Sequence, residues 1–167
     1  MVEYRIPYLG LRIGMHEFEF VLDDAFFGFF GHGEIKKGRI DVKLVLDRQA
    51  SMLVLDFELD GSVELPCDRC GEDADIDVSG EERLIVKMGE RTGSTDEDIL
   101  ELGPNEHEID LSQYLYEYAH LMLPARRVHK NLSDCNQDVV EHLGQIDEED
   151  QLPQDPRWDA LKNLNTN

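Results

Sequence analysis

Two cysteines lie close together in the segment Leu65–Gly71, and their type and spacing point most directly to chemistry. Cys67 and Cys70 are separated by two residues, a spacing that lets both sulfurs face one point. Gly71 follows immediately, and glycine adopts the positive φ of a tight turn without steric cost. Thiolates bind zinc, but a structural zinc site has four ligands, so this turn predicts half of such a site.

The other half is predicted downstream, where the chain has both an imidazole and its third cysteine. His129 and Cys135 would complete a set of four ligands with Cys67 and Cys70. Four such groups in a tetrahedron make a closed structural site, so we expect one structural zinc ion as the cofactor. The alternative is that Cys67 and Cys70 are reduced thiols at a turn, and that Cys135 is a small buried residue.

Redox chemistry is the competing use of a Cys-x-x-Cys pair. A thioredoxin-like site places the first cysteine at a helix N-terminus, which lowers its pKa. Here the flanking residues predict strands, and Asp68 and Glu72 are expected to raise a thiol pKa. The sequence has no nucleophile elbow, P-loop, dinucleotide fingerprint or His-Glu-x-x-His motif, so we expect a protein that is not an enzyme.

One dense group of cations, in the segment 126–130, lies beside His129. We predict that Arg126, Arg127 and Lys130 contact a partner or RNA phosphates, in which case salt would weaken the binding. The alternative is pairing with carboxylates of the same chain, because 37 acidic residues outnumber 16 lysines and arginines.

Net charge and hydropathy limit the class of protein. A net charge of −21 repels bare nucleic acid and anionic membranes, and it favours basic partners. No apolar run approaches the ~18 residues that a membrane-spanning helix needs. The first residues, Met1–Arg5, have no charged-then-apolar signal pattern. We therefore expect a cytoplasmic protein with reduced thiols and no membrane association.

Alternation of apolar and polar residues predicts a mostly antiparallel sheet. The clearest hairpin joins strands at about 40–46 and 53–59, and the second strand continues into the cysteine turn. The return strand covers about 76–88, and Gly80 within it predicts a bulge. Cys67 and Cys70 would then lie at the tip of a β-ribbon.

Helical spacing of apolar residues predicts one main helix at about 111–122. Asp110 and Gln113 resemble a capping box at its start, and Pro124 ends it. A shorter helix is predicted at 136–143, with Gly144 at its end.

Together these elements predict an α+β fold with an antiparallel sheet or barrel-like core, the main helix and short C-terminal helices. Residues 1–144 would form a single domain. Residues 145–167 would form an acidic linker and a short C-terminal helical tail.

The chain resembles the YceD family, the large ribosomal RNA subunit accumulation proteins, in several motifs that occur in the same order. The matching segments are 63–70 (Val-Glu-Leu-Pro-Cys-Asp-Arg-Cys), 80–83 (Gly-Glu-Glu-Arg), 109–111 (Ile-Asp-Leu), 121–124 (Leu-Met-Leu-Pro) and 155–161 (Asp-Pro-Arg-Trp-Asp-Ala-Leu). The version resembles the one in Bacteroidetes-type bacteria. It has Gly71 where the family usually has an apolar residue, and His129 and Cys135 where many members have further cysteines.

The resemblance implies a cytoplasmic bacterial protein that is needed for the accumulation or processing of the large-subunit ribosomal RNA, without enzymatic activity. The expected partner is a ribosomal protein or a pre-ribosomal RNA–protein particle. Two alternatives remain. One is a zinc-containing or Cys-x-x-Cys redox enzyme, which a Cys67 pKa well below ~8.5 would favour. The other is an acidic, chaperone-like binding module that makes no RNA contact.

Overall fold

A computed structural model of the chain describes residues 4–31, 33–88, 99–103 and 106–149. Within these residues, seven strands and three α-helices form an α+β fold, which confirms the predicted class. The strands are β1 (Arg5–Ile6), β2 (Gly14–Leu22), β3 (Lys37–Arg48), β4 (Met52–Pro66), β5 (Asp73–Met88), β6 (Ile99–Leu102) and β7 (Ile109–Asp110). The helices are α1 (Asp24–Phe30), α2 (Ser112–Leu121) and α3 (Gln137–Glu149), and short 3₁₀ turns cover Tyr8–Gly10 and Leu132–Asp134.

Five strands form one sheet in the order β2-β3-β4-β5-β6, and β1 pairs with β7 in a separate ladder. All neighbours in the sheet are antiparallel except β5 and β6, which run parallel. The predicted hairpin is present, with Leu44 opposite Phe57. Among the described strands, β2 and β6 are the two edges and do not pair with each other. The sheet is therefore open and does not close into the barrel-like form that we considered.

The core lies on one face of this sheet. Alternate residues of β3 and β4 are almost fully buried there, and α2 adds Leu115, Tyr118 and Ala119 to the same core. The rings of Phe57 and Tyr118 meet edge to face, with their centroids 5.3 Å apart. The opposite face carries mostly charged residues and is exposed, as is common for antiparallel sheets that are packed on one side.

The predicted bulge at Gly80 is wrong, because β4 and β5 pair without interruption from Met52–Lys87 to Pro66–Asp73. A contact with another element explains why position 80 is a glycine. A Cβ at this position would lie 2.9 Å from Cγ of Met122, the residue that follows α2. Glycine therefore allows the end of the main helix to pack closely on the strand.

The main helix is present as predicted, but it does not begin with a capping box. Leu111 is the N-cap residue, and Asp110 belongs to β7. The Asp110 carboxylate accepts the N–H of Ser112 at 2.9 Å and pairs with Arg5 at 3.0 Å. The Gln113 amide donates to Glu117 at 2.7 Å instead of reaching back to the cap.

The predicted helix at 136–143 extends further than expected. Helix α3 covers Gln137–Glu149 and therefore continues through Gly144, so this glycine is accommodated inside a helix. The first residues of the predicted linker are therefore helical. The rest of the predicted tail, residues 150–167, lies outside the described residues.

Candidate metal centre

The turn between β4 and β5 holds the first two candidate ligands. The pairing of the two strands ends at Pro66 and Asp73. Cys67 then donates its N–H to the Glu72 carbonyl at 2.8 Å, and Gly71 donates its N–H to the Cys67 carbonyl at 2.8 Å. Gly71 has φ of 77°, in the left-handed region that glycine accepts readily. The cysteines therefore lie at the tip of a β-ribbon, as predicted.

The segment that follows α2 docks on this turn through two hydrogen bonds between Asp68 and Arg127. Asp68 donates its N–H to the Arg127 carbonyl at 2.7 Å, and its carboxylate accepts the Arg127 N–H at 2.7 Å. The 3₁₀ turn Leu132–Asp134 then leads the chain back, and the N–H of Cys135 donates to the Leu132 carbonyl. These contacts place His129 and Cys135 beside the ribbon tip.

The four predicted ligands converge. One ligand atom from each of Cys67, Cys70, His129 and Cys135 lies within 4.8 Å of all the others. Nδ1 of His129 is 3.6 Å from the sulfurs of Cys70 and Cys135. Tetrahedral zinc bonds of about 2.3 Å to sulfur and about 2.0–2.1 Å to nitrogen place such atoms about 3.5–3.6 Å apart. The arrangement fits one zinc ion.

Burial favours a closed site. The three cysteines are free and buried, and His129 is half-buried. The four protein groups are enough to fill a tetrahedron, which is the coordination of a structural zinc rather than a catalytic one.

The second nitrogen of the His129 ring fixes its tautomer. Nε2 lies 3.1 Å from the carbonyl oxygen of Asp73. Because a carbonyl oxygen can only accept, Nε2 carries the proton and Nδ1 presents its lone pair to the sulfurs. Metal-bound histidines commonly have this arrangement, in which a carbonyl or carboxylate orients the ring.

The thiol of Cys67 is ionised more easily than a free cysteine. Burial raises its pKa, but N–H groups of the His129 and Arg69 backbone donate toward the thiolate and bring the pKa to about 6. The rise that we expected from Asp68 and Glu72 is not observed. A thiolate at neutral pH suits both metal binding and thiol exchange. The low pKa of Cys67 arises in a turn between two strands, and not at a helix N-terminus as in a thioredoxin-like site.

The thiol of Cys135 shifts in the other direction. Burial raises its pKa, and a hydrogen bond from Arg69 only partly offsets this effect. Nη1 of Arg69 lies 3.3 Å from the Cys135 sulfur. We did not single out Arg69 from the sequence, although its position between the two cysteines is a signal that could have suggested it.

The cations beside the cluster have unequal surroundings. Arg127 pairs with Glu34 at 2.5 Å, and Lys130 pairs with Asp77 at 2.7 Å. Arg126 is exposed and makes no ion pair with the described residues. The alternative of intramolecular pairing therefore applies to Arg127 and Lys130 but, among the residues that the structure describes, not to Arg126.

A comparison with protein families gives the identity of the chain. The model described as large ribosomal RNA subunit accumulation protein YceD matches residues 55–165. The chain belongs to the YceD family. The match includes all four ligand positions and both elements that hold them. A search of curated proteins and a search of solved structures each found no match.

The family description gives this protein a ribosome-related role. In the part of the chain that the structure describes, no helix is long and apolar enough to span a membrane.

Proposed function

We propose that this protein is a non-catalytic, cytoplasmic factor in the accumulation or processing of the large-subunit ribosomal RNA. It would act by binding a ribosomal protein or a pre-ribosomal RNA–protein particle. The observation that carries this proposal is the family match over 55–165, which contains the whole Cys₃His cluster.

A genetic experiment tests this role. Removal of the gene from the source bacterium is expected to lower the ratio of large-subunit to small-subunit ribosomal RNA, and the wild-type gene is expected to restore it. An unchanged ratio at every growth stage would contradict the role.

Zinc in this proposal has a structural task. When bound, it would cross-link the ribbon tip, through Cys67 and Cys70, to the segment after α2, through His129 and Cys135. Arg126 would be held beside this cross-link as a contact to the partner. The four protein ligands leave no position for substrate, which supports a role without catalysis.

Metal content tests the zinc site directly. Protein purified under reducing conditions is expected to contain about one zinc per chain, since the site has one set of four ligands. Cys67→Ser should lose it. No metal in the wild type would contradict the site, and Arg126 and the exposed charged face of the sheet would then be the candidate partner surfaces.

The exposed face of the sheet supports a basic protein as the partner. An open groove of about 710 Å³ crosses β2 to β5 on this face, and its carboxylates outnumber its cations. Both cations are already paired, Lys43 with Glu58 and Arg83 with Asp56. The carboxylates of the groove on this face are Glu17, Glu19, Asp56, Glu58 and Glu81. Such a surface attracts lysine- and arginine-rich segments and repels bare RNA.

The redox alternative is favoured by the backbone N–H groups around Cys67, which lower its pKa to about 6. A redox enzyme would cycle Cys67 and Cys70 between dithiol and disulfide, and zinc would block that cycle by holding both sulfurs. Stoichiometric zinc in protein isolated from the cell would exclude this alternative. Metal-free protein with a reversible Cys67–Cys70 disulfide would favour it.

A further inference from the structure

Arg69 has surroundings that are unusual for a cation in so acidic a chain. It is half-buried, and no carboxylate among the described residues pairs with it. Instead its Nη1 donates to the Cys135 sulfur at 3.3 Å, across 66 residues of sequence. Its backbone N–H donates to the Cys67 sulfur at 3.4 Å. One residue therefore contacts ligands on both sides of the cluster.

The charge of the cluster explains why a cation is useful there. Three thiolates and one neutral imidazole around Zn²⁺ leave one surplus negative charge. Buried charge is unfavourable unless it is paired and hydrogen-bonded. A guanidinium beside one sulfur supplies both a positive charge and a directed donor, and such charge-assisted hydrogen bonds are stronger than neutral ones.

We propose that Arg69 is a positioning residue of this metal centre, which neutralises the surplus charge of the zinc–thiolate cluster and orients the Cys135 sulfur toward the other three ligands. This inference rests on the proposed zinc site. It assigns Arg69 a role that the four ligands alone do not provide. Because Cys135 lies at the far end of the docked segment, Arg69 would also help to bring the fourth ligand into place.

A zinc competition titration tests the role, with a chromophoric chelator as the competitor. Arg69→Gln removes the charge and is expected to weaken zinc binding by about 10–100-fold, the usual cost of losing an outer-shell partner. Arg69→Lys keeps the charge without the planar fork and should fall between wild type and Arg69→Gln. Arg83→Gln is the control, because Arg83 is an exposed arginine that pairs with Asp56. It should bind zinc like the wild type.

Alkylation of the zinc-loaded protein separates this role from general loosening. With N-ethylmaleimide and peptide mass spectrometry, Arg69→Gln should increase the labelling of Cys135 more than that of Cys67 or Cys70. Equal increases at all three sulfurs would mean that Arg69 only stabilises the fold, and would overturn the proposal. Circular dichroism of each variant would show that it folds.

The possible failures are distinguishable. Absence of zinc from the wild type would remove the metal centre and the role of Arg69 with it. Tight zinc binding by wild type and by Arg69→Gln alike would overturn the role of Arg69 and leave the metal centre in place.

Discussion

The two ring nitrogens of His129 have different tasks. Nε2 donates to the Asp73 carbonyl, and Nδ1 faces the sulfurs. We expect His129→Gln to weaken zinc binding by more than the about 10–100-fold typical of an outer-shell change, because it removes a direct ligand. Chelator competition measures this loss. His142→Gln is the matched control, since His142 is exposed on α3, and equal affinities for the two variants would show that His129 is not a ligand.

Single residues show what the sequence could predict about the site and what it could not. Cys67 and Cys70 are separated by two residues, so their convergence follows from local geometry. His129 and Cys135 were predictable only as residue types that zinc accepts, because their approach depends on docking about 59 residues away. The position of Arg69 between the two cysteines was visible in the sequence, but its contact to Cys135 exists only after that docking.

The prediction for one glycine was confirmed and that for another was wrong, and the difference again lies between local and long-range contacts. Gly71 was predicted from its place in a tight turn, and its φ of 77° confirms the prediction. Gly80 was predicted as a bulge, but it instead leaves space for the Met122 side chain, which approaches from the end of α2. A turn is a local property of the backbone, whereas a close approach between two elements is not.

At the level of elements, Gly61 of β4 pairs with Ile40 of β3, and a side chain at this position would meet the β3 backbone. A Cβ there would lie 2.1 Å from the Arg39 carbonyl oxygen and 2.7 Å from the Cα of Ile40. Backbone atoms cannot move aside as a flexible side chain can. We therefore expect Gly61→Ala to lower the free energy of unfolding by about 1–3 kcal/mol, the range for overpacking.

Denaturant unfolding at fixed zinc concentration measures this effect. Gly28→Ala is the control, because a Cβ at that position in α1 meets nothing within 4 Å. It should raise the free energy of unfolding by about 0.5–1 kcal/mol, since glycine is unfavourable in a helix. Equal effects of the two substitutions would mean that the close strand approach is not significant in solution.

Removal of the metal should affect one part of the fold more than the rest. The sheet core is large and needs no cross-link, whereas the segment at 123–136 is attached by the cluster, a few hydrogen bonds, the Lys130–Asp77 ion pair and partly buried side chains. We expect chelation to increase amide hydrogen exchange in the turn at 67–72 and in 123–136, and to leave the buried parts of β3 and β4 protected. Unchanged exchange in both segments would contradict the cross-link.

The elements were predicted best where periodicity is strong. The alternation in β3 and β4 predicted the central hairpin, and the helical spacing at 111–122 predicted α2 within a residue. The capping box failed because Asp110 belongs to β7, which pairs with β1, so the N-cap position falls one residue later, at Leu111. The openness of the sheet was also not predictable, since it depends on which strands become edges.

For the whole molecule, the distribution of charge matters more than its total of −21. The cations next to the metal centre are largely neutralised within the chain, whereas the groove on the exposed face keeps carboxylates without a cation. Glu17, Glu19 and Glu81 make no ion pair with the described residues. The acidic groove and the metal centre therefore offer different surfaces to a partner, one for basic segments and one around Arg126.

The acidic groove leads to a prediction that a binding assay with two probes can test. The first probe is the mixture of proteins extracted from large ribosomal subunits, and the second is the large-subunit ribosomal RNA free of protein. We expect the wild type to bind basic proteins of the first probe in a salt-sensitive way, because paired charges are screened by salt. Glu17→Gln with Glu19→Gln should weaken this binding. Asp138→Asn with Glu141→Gln removes the same charge from the exposed surface of α3 and should not weaken it.

If the groove does not bind basic proteins, the protein-free RNA can identify the surface that contacts the partner. Binding to the bare RNA that survives moderate salt and is lost in Arg126→Gln would place the contact beside the metal centre, since each phosphate contact adds to the salt dependence. The Gln substitutions in the groove would then strengthen RNA binding slightly, because they remove repulsive charge. Opposite responses of the two probes to the same variants therefore distinguish a protein-binding face from an RNA-binding one.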